Sequence, residues 1–402
     1  MPTFTYEARD RAGKKQAGTL SADTRQAATM ALAQRGLKVQ TIGLKAGRGE
    51  PGARTRAKST DLLVFTRQLS TIVSAGLPLL QGLSILAEQT EDERFAAVIN
   101  AVARDVEAGE TFSDALRKYS RAFPDLYVSM VRAGEASGDL DGVLLQLADY
   151  IERTEELKRR IKSAMMYPVI AFGMIICIAA GLIVFVVPQF AEMFAGFGQE
   201  LPLPTLLLLK ASETLRSWSA VVIVVCLIGA VIGLRVWSGT EMGRYVVDSW
   251  KLRLPIFGKL LRKVAVSRFT RTLSTLTRSG VAILQALDIV QSTAGNAVFA
   301  KVVAQAGDSV RAGETLATPL ERSGQFPGMV TRMIDVGEKT GALEQMLLKI
   351  ADFYDSEVQA AVDGLTSLIE PILIMMMGVV VGGIVIALFM PMLKMASAVA
   401  GG

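Results

Sequence analysis

One stretch of sequence occurs twice in this chain, and the repeat constrains the fold more than any other feature. Residues 65–83 read FTRQLSTIVSAGLPLLQGL, and residues 269–287 read FTRTLSTLTRSGVAILQAL. The match persists at an offset of 204 residues as far as 107–111 and 311–315, and after the loss of one residue it continues at an offset of 203. A match of this length predicts a tandem duplication of one structural unit.

Each copy ends in an uncharged apolar run, and a third such run lies between the copies. The paired runs are bracketed by prolines, at 168 and 188 in the first copy and at 371 and 391 in the second. About 20 apolar residues cross the hydrocarbon core of a bilayer as a helix, and this length disfavours the alternative of a buried helix in a soluble core. We therefore predict three transmembrane helices, at residues 168–188, 218–235 and 371–393.

The basic residues beside these runs predict the orientation. Four precede the first run within 158–162, and seven follow the second within 235–263. The intervening residues 189–217 carry two basic and three acidic residues. Both helical domains are therefore predicted on the cytoplasmic side. The unpaired second span returns the chain to that side, so that the second copy keeps the orientation of the first.

The predicted fold class is mainly α: a polytopic membrane protein with two homologous cytoplasmic helical bundles of about six helices each, three transmembrane helices and a small N-terminal ββαβ module. Single apolar stripes, such as Leu62, Phe65, Leu69 and Ile72 on one helical face, require the short helices to bury one another. The predicted boundaries are a module at 1–42, a linker at 43–58, bundles at 59–167 and 236–370, an external loop at 189–217 and an external tail at 394–402.

The N-terminal segment combines a strand pattern with a strongly basic charge. Residues 3–8 alternate like a β-strand, and Asp23 is placed to cap a helix that runs to Gln34. Residues 1–58 carry 12 basic and 4 acidic side chains. This charge is typical of a solvated flexible linker, and it would also suit an acidic protein partner or the anionic inner leaflet of the membrane. No aromatic interleaving accompanies it, so nucleic acid is not predicted as a partner.

The sequence offers no catalytic constellation. The chain contains no histidine, which excludes a Ser-His-Asp triad and an HExxH metal site, and no phosphate-binding loop of the Gly-Lys-Ser/Thr type occurs. Cys177 and Cys226 both lie in apolar runs, as small hydrophobic residues rather than a disulfide framework. We predict no catalytic residue, no cofactor and no metal.

Two glycine patterns are candidate functional sites. A Gly-Glu-x-x-Gly corner occurs once in each copy, as Gly134, Glu135 and Gly138, and as Gly337, Glu338 and Gly341. One interpretation is structural, in which the second glycine ends a helix and the glutamate bonds to a helix start; the other is a docking edge for a partner. Small residues at Gly378, Gly382 and Gly383 have the spacing that lets two membrane helices approach closely.

The whole pattern resembles a known family of membrane proteins. It comprises two FTRxLSTxxxxG domains, a Gly-Glu-x-x-Gly corner in each, the sequence AMMYP at 164–168 and Glu370-Pro371 before the last span. In this order they resemble the inner-membrane platform protein of type II secretion systems and type IV pilus assembly machines. The resemblance covers essentially the whole chain.

The resemblance implies a non-enzymatic protein of the cytoplasmic membrane. Such a platform couples a hexameric cytoplasmic ATPase to the insertion or extraction of pilin-like subunits, contacts other inner-membrane assembly proteins and self-associates as a homo-oligomer. The N-terminus would be cytoplasmic and the C-terminus external. The alternative from another class is a membrane transporter or ion-coupled stator subunit. It would need an ionisable group at membrane depth, and the uncharged interiors of the three runs provide none. Secretion, pilus assembly and DNA uptake are not distinguished by these motifs.

Overall fold

The computed structural model describes residues 3–9, 15–21, 29–31, 38–44, 55–195, 202–255 and 257–400. These residues are mostly α-helical. The chain divides into two compact units, Met1–Ile151 and Glu152–Gly402.

Three strands form an antiparallel sheet near the N-terminus. They are β1 (Thr3–Arg9), β2 (Lys15–Ser21) and β3 (Lys38–Leu44), in the order β2-β1-β3. The sequence predicts strands at nearly these positions. The helix predicted from Asp23 to Gln34 lies mostly outside the described residues, of which 29–31 are helical.

The first unit continues as a series of short helices. They are α1 (Ser59–Ser74), α2 (Leu79–Gln89), α3 (Glu93–Glu107), α4 (Phe112–Arg117), α5 (Asp125–Ser137) and the beginning of α6 (Leu140–Gly181). Local sequence explains their ends. Gly76 has a φ of 80° just beyond α1, a conformation that favours glycine. The side chain of Asp92 accepts the backbone N–H groups of Arg94 and Phe95 and so caps α3.

Aromatic rings fill the core of this unit. Phe65, Phe95 and Phe123 are each at most 2% exposed, and their ring centroids lie 5.7 to 6.0 Å apart. Aromatic pairs in such tilted or edge-to-face arrangements contribute about 0.5–1.5 kcal/mol beyond the burial of their area. The core therefore joins α1, α3 and the segment before α5.

The second unit contains the remaining helices. After the end of α6 come a π-helical segment (Leu182–Val186), α7 (Val187–Ala195), α8 (Leu203–Arg216), α9 (Trp218–Trp237), α10 (Glu241–Arg253), α11 (Phe257–Arg278), α12 (Ile283–Thr293), α13 (Ala297–Arg311), α14 (Ala317–Arg322), α15 (Gly328–Thr340) and α16 (Leu343–Ala400). Its core repeats the first: Phe269, Phe299 and Phe326 occupy the same three repeat positions. The ring centroid of Phe326 lies 4.9 Å from that of Phe269 and 5.3 Å from that of Phe299. The duplication therefore extends to the packing of the core.

Three helical stretches within the described residues are long and apolar enough to cross a membrane, by length and composition. They are Leu140–Phe190, Trp218–Trp237 and Leu343–Leu393. Two of them begin far earlier than the predicted spans, because Pro168 and Pro371 lie inside continuous helices rather than at their ends. Proline removes one helical hydrogen bond, but a long apolar helix tolerates that loss. The predicted boundaries at 167 and 370 are therefore not helix ends.

Residues 189–217 are predicted to form an external loop, and the described part of this segment is helical, as the rest of α7 and as α8. The Thr205 hydroxyl on α8 donates a 2.5 Å hydrogen bond to the backbone carbonyl of Ala387. Val187, Ile384 and Leu388 form a buried apolar cluster against which α8 also packs. Leu208 and Leu209 of α8 pack against this cluster, so part of the segment between the first two apolar stretches is held against the first and third of them.

Candidate functional site

The Gly-Glu-x-x-Gly corner of the first unit is built around the carboxylate of Glu135. It accepts the backbone N–H of Phe112 at 2.6 Å and that of Ser113 at 3.0 Å. These two donors belong to the first turn of α4, whose N–H groups have no partner within the helix. A carboxylate at a helix N-terminus also interacts favourably with the helix dipole. Glu135 therefore ties the C-terminal part of α5 to the start of α4.

The corner of the second unit has the same geometry. The carboxylate of Glu338 accepts the N–H groups of Leu316 at 2.7 Å and Ala317 at 3.1 Å, at the start of α14. Both glutamates are half-buried. A bidentate contact that recurs at both copies, with distances within about 0.1 Å, is a property of the repeated unit.

The glycines of the corner have separate roles. A Cβ atom on Gly134 would lie 3.1 Å from Val143, and one on Gly337 would lie 2.9 Å from the Cα of Leu343. The first glycine of each corner thus lets the following helix pack closely. The second glycine ends the helix in the left-handed conformation, with φ of 77° at Gly138 and of 71° at Gly341. Only glycine adopts this conformation without strain.

This geometry matches the structural interpretation of the corner. The glutamate carboxylates are turned toward backbone donors of their own unit, so they are not free groups for a partner. The exposed surface at each corner is supplied instead by neighbours, among them Ala136 and Lys339, which occupy the same repeat position. A docking role for the corners remains a prediction, and it would act through these exposed residues.

A second duplicated contact joins the first and last helices of each bundle. Arg67 on α1 lies 2.9 Å from Asp149 on α6, and Arg271 on α11 lies 2.7 Å from Asp352 on α16. The four residues are related by the repeat. Sequence analysis missed this pair, although both positions lie within the motifs that recur.

The arginine of the second copy is more buried than that of the first. The side chain of Arg271 is 9% exposed, against 39% for Arg67. Arg271 also pairs with Asp355, which in turn accepts a hydrogen bond from the hydroxyl of Ser267. Burial by itself would lower the pKa of Arg271, but the hydrogen bonds and charges of Asp352 and Asp355 outweigh it and raise the pKa. The guanidinium therefore stays charged inside the bundle.

A groove of about 710 Å³ lies between α6 and α16 within the second unit. Its lining carries charges of both signs, including Arg153, Glu156, Arg160, Asp355 and Asp363. Arg160 crosses the groove to bond with Gln359. The mixed lining gives the groove no preference for a ligand of one charge.

The small-residue pattern of the third span lies on an open face. A Cβ atom placed on Gly378, Gly382 or Gly383 would meet nothing within 4 Å. The adjacent Ile384 is buried against the first span. The glycines thus face away from the helices of their own unit, and contact with another membrane helix there remains a prediction.

Among the residues that the structure describes, no group of three or more His, Cys, Asp or Glu side chains could hold a metal ion. Cys177 and Cys226 are free thiols, both exposed at the surface of apolar helices.

Fold and site together define a polytopic membrane protein in which a helical bundle and its following span are duplicated. Comparison with known families identifies the class more closely. The family model described as type II secretion system (T2SS) protein F matches residues 65–188 and 269–391, and the model of the N-terminal domain of that protein matches residues 1–43. The chain belongs to the type II secretion system protein F family.

Similar proteins come from both kinds of machine. The chain is 44% identical over 400 residues to the type IV pilus assembly protein PilC of Thermus thermophilus, with 98% of each chain covered. It is 42% identical over 400 residues to the protein of the same name in Myxococcus xanthus, which covers 98% of this chain and 95% of the relative. It is 36% identical over 401 residues to type II secretion system protein F of Pseudomonas aeruginosa, with 98% and 99% covered.

Proposed function

We propose that this chain is the inner-membrane platform of a machine that assembles pilin-like subunits, in a type II secretion system or a type IV pilus. It is not an enzyme. It binds a separate hexameric ATPase of the cytoplasm and transmits the work of that ATPase to the subunits. Other inner-membrane assembly proteins and further copies of the chain complete its partners.

The observation that carries this proposal is the end-to-end similarity to proteins of both machines, which covers 98% of the pilus assembly relative and 99% of the secretion relative. The duplicated architecture supports it. Two bundles with the same aromatic core, the same carboxylate cap and the same ion pair offer two equivalent surfaces to a partner. A multisubunit ATPase presents repeated surfaces that such a pair would suit.

The proposed topology places both bundles in the cytoplasm, together with the N-terminus. Residues 189–217 and the C-terminus lie outside. Support comes from the basic residues that flank the apolar stretches, and from the single helix α9, which the second copy requires in order to regain the orientation of the first.

Purification with and without the ATPase tests the function. The purified chain alone is expected to hydrolyse no nucleotide, and the ATPase is expected to co-purify with it from the membrane. Deletion should abolish pilus assembly or secretion while leaving the membrane sealed to small ions. Nucleotide hydrolysis by the partner-free chain, or a deletion strain that still assembles subunits, would contradict the proposal.

One double variant, changed at the same position of each copy, tests docking at the corners. Ala136→Arg combined with Lys339→Glu changes the exposed surface of both corners and leaves the Glu135 and Glu338 caps intact. Loss of ATPase binding with an unchanged thermal transition would support docking there. Full binding by this variant would assign the corners a structural role only.

A further inference from the structure

Helix α10 is fixed to the end of the second membrane helix by a tight turn. The hydroxyl of Thr240 donates to the carbonyl of Trp237 at 2.6 Å and accepts the N–H of Gly243 at 3.2 Å. A Cβ atom on Gly243 would lie 2.0 Å from the same carbonyl oxygen, so only glycine permits this approach. The start of α10 is therefore held within one turn of the last residue of α9.

One face of α10 is apolar and has no partner within the described residues. Met242, Val246 and Trp250 follow one another at a spacing of four residues, which places them on one side of the helix. They are 79%, 40% and 69% exposed. Large side chains of this kind seldom line up on a surface that faces only water.

The opposite face of α10 fastens the helix to the second bundle. Asp248 is buried, and its carboxylate accepts the N–H of Ala297 at the start of α13. Leu252 is also buried. The apolar face is thus presented outward by a helix whose position is fixed on its other side.

The charge around α10 is strongly basic. Residues 235–263 carry seven basic and two acidic side chains, and one of the acidic groups is the buried Asp248. Arg244 and Arg253 are exposed on α10 itself. At the end of α10, Arg253, Lys259 and Arg262 line a pocket of about 390 Å³, together with Lys263 and Glu357, which pair with each other.

We propose that α10 lies in the membrane interface, with Met242, Val246 and Trp250 among the headgroups and upper acyl chains, and that Arg253, three residues after Trp250 and on the same face, binds an anionic phospholipid headgroup. The helix would then hold the second bundle against the bilayer. Residues 236–256 lie outside both repeat matches, so α10 is not part of the repeated unit.

Lipid is the occupant that the geometry favours over a protein. The helix starts at the end of a membrane-spanning helix, so its first turn is already at the level of the headgroups. Tryptophan beside basic residues is the side-chain combination that the interface prefers. Basic residues close to an anionic leaflet add to this binding.

Tryptophan fluorescence in the full-length chain tests the proposal, because the chain has only three tryptophans, Trp218, Trp237 and Trp250. In the Trp218→Phe, Trp237→Phe variant, Trp250 is the sole probe. The variant is reconstituted in phosphatidylcholine vesicles containing phosphatidylglycerol, with bromine near the glycerol end of the acyl chains. We expect the bromine to quench Trp250 and the bilayer to shield it from acrylamide.

The matched control lacks all three native tryptophans and carries Val336→Trp instead. Val336 lies on α15 and is 50% exposed. This control should respond to acrylamide and not to brominated lipid. Acrylamide quenching of Trp250 without lipid quenching would overturn the proposal and leave the face in water. Shielding of Trp250 from both quenchers would overturn it in favour of a protein contact.

The headgroup preference has its own measurement. Arg253→Gln should lower the ratio of lipid-docked to undocked helix about fivefold in phosphatidylglycerol vesicles. It should have no effect in pure phosphatidylcholine. Arg244→Gln, on the side of the helix that carries Asp248, is the matched control and should change the ratio less. Equal quenching of the arginine and glutamine forms in both vesicles would contradict the role of anionic lipid. Unchanged far-ultraviolet circular dichroism establishes that each variant is folded.

Discussion

Arg271 and Asp352 form a 2.7 Å ion pair whose counterpart through the repeat is the 2.9 Å pair of Arg67 and Asp149. The two pairs differ in burial although they descend from one position. In the second pair, Asp355 is a further carboxylate bound to the guanidinium of Arg271. The duplication therefore provides an internal comparison of the same contact in two environments.

Arg271→Met should lower the free energy of unfolding by about 2 kcal/mol, because it leaves the carboxylates of Asp352 and Asp355 without the guanidinium that both of them bind. Arg67→Met should change it by less than about 1 kcal/mol, since both partners of that pair are substantially exposed to water. Denaturant unfolding of the two variants in the same detergent measures the difference. Equal losses would show that burial does not control the strength of this contact.

Glu135→Gln and Glu338→Gln should each destabilise the chain by about 1 kcal/mol. The amide nitrogen of glutamine cannot accept the second N–H group at the start of the short helix, and the charge that favours the helix dipole is lost. Thermal unfolding is the measurement. Glu107→Gln, at an exposed position, is the matched control and should leave the midpoint of thermal unfolding unchanged.

Gly337→Ala should cost about 1–3 kcal/mol, because the new methyl group would lie 2.9 Å from the backbone of Leu343. Gly364→Ala on α16 has open space and should stabilise the helix by up to about 1 kcal/mol. Opposite shifts in the unfolding midpoint are expected from the same chemical change. A neutral Gly337→Ala would mean that α15 and α16 can separate at no cost.

The first bundle should become less stable at alkaline pH. Burial raises the pKa of Tyr127, and a contact with the Thr66 hydroxyl offsets this only in part. The unfolded phenol ionises near pH 10, whereas the folded one stays neutral, so the unfolded state loses its proton first. Stability from this group is therefore complete below about pH 10 and declines above it. Tyr127→Phe should flatten the alkaline limb of the unfolding midpoint against pH.

Cysteine labelling in intact cells checks the topology. In a Cys177→Ala, Cys226→Ala background, a maleimide that does not cross the membrane should label Leu203→Cys, at a position that is 77% exposed. It should not label Ser120→Cys or Glu321→Cys until the membrane is opened. Labelling of Ser120→Cys in sealed cells would reverse the orientation on which the proposed docking rests.

Short-range signals in the sequence located the helix ends at the two corners. The second glycine of each corner motif ends its helix, at Gly138 and Gly341, because this conformation depends on bonds within a few residues. The repeat also located the corner motif, although the motif alone left two interpretations open.

Contacts between residues far apart in the chain could not be predicted from such short-range signals. Nothing local pairs Arg67 with Asp149, and the partner of Glu135 lies on a helix that precedes it. Pro168 and Pro371 mark the starts of two apolar runs in the sequence. In the structure, both prolines lie inside continuous helices, so they do not mark helix boundaries.

Helix α16 begins as the last helix of the second bundle and continues without interruption through the apolar stretch, over 58 residues in all. At 1.5 Å per residue it extends about 87 Å. A loop between a domain and its span would absorb a twist applied at one end, but a continuous helix has no such joint. Any rotation imposed on the bundle end of α16 about its own axis must therefore reappear as a turn of the Gly378 and Gly382 face within the bilayer. The continuous helix therefore transmits rotation about its own axis more directly than a flexible loop would.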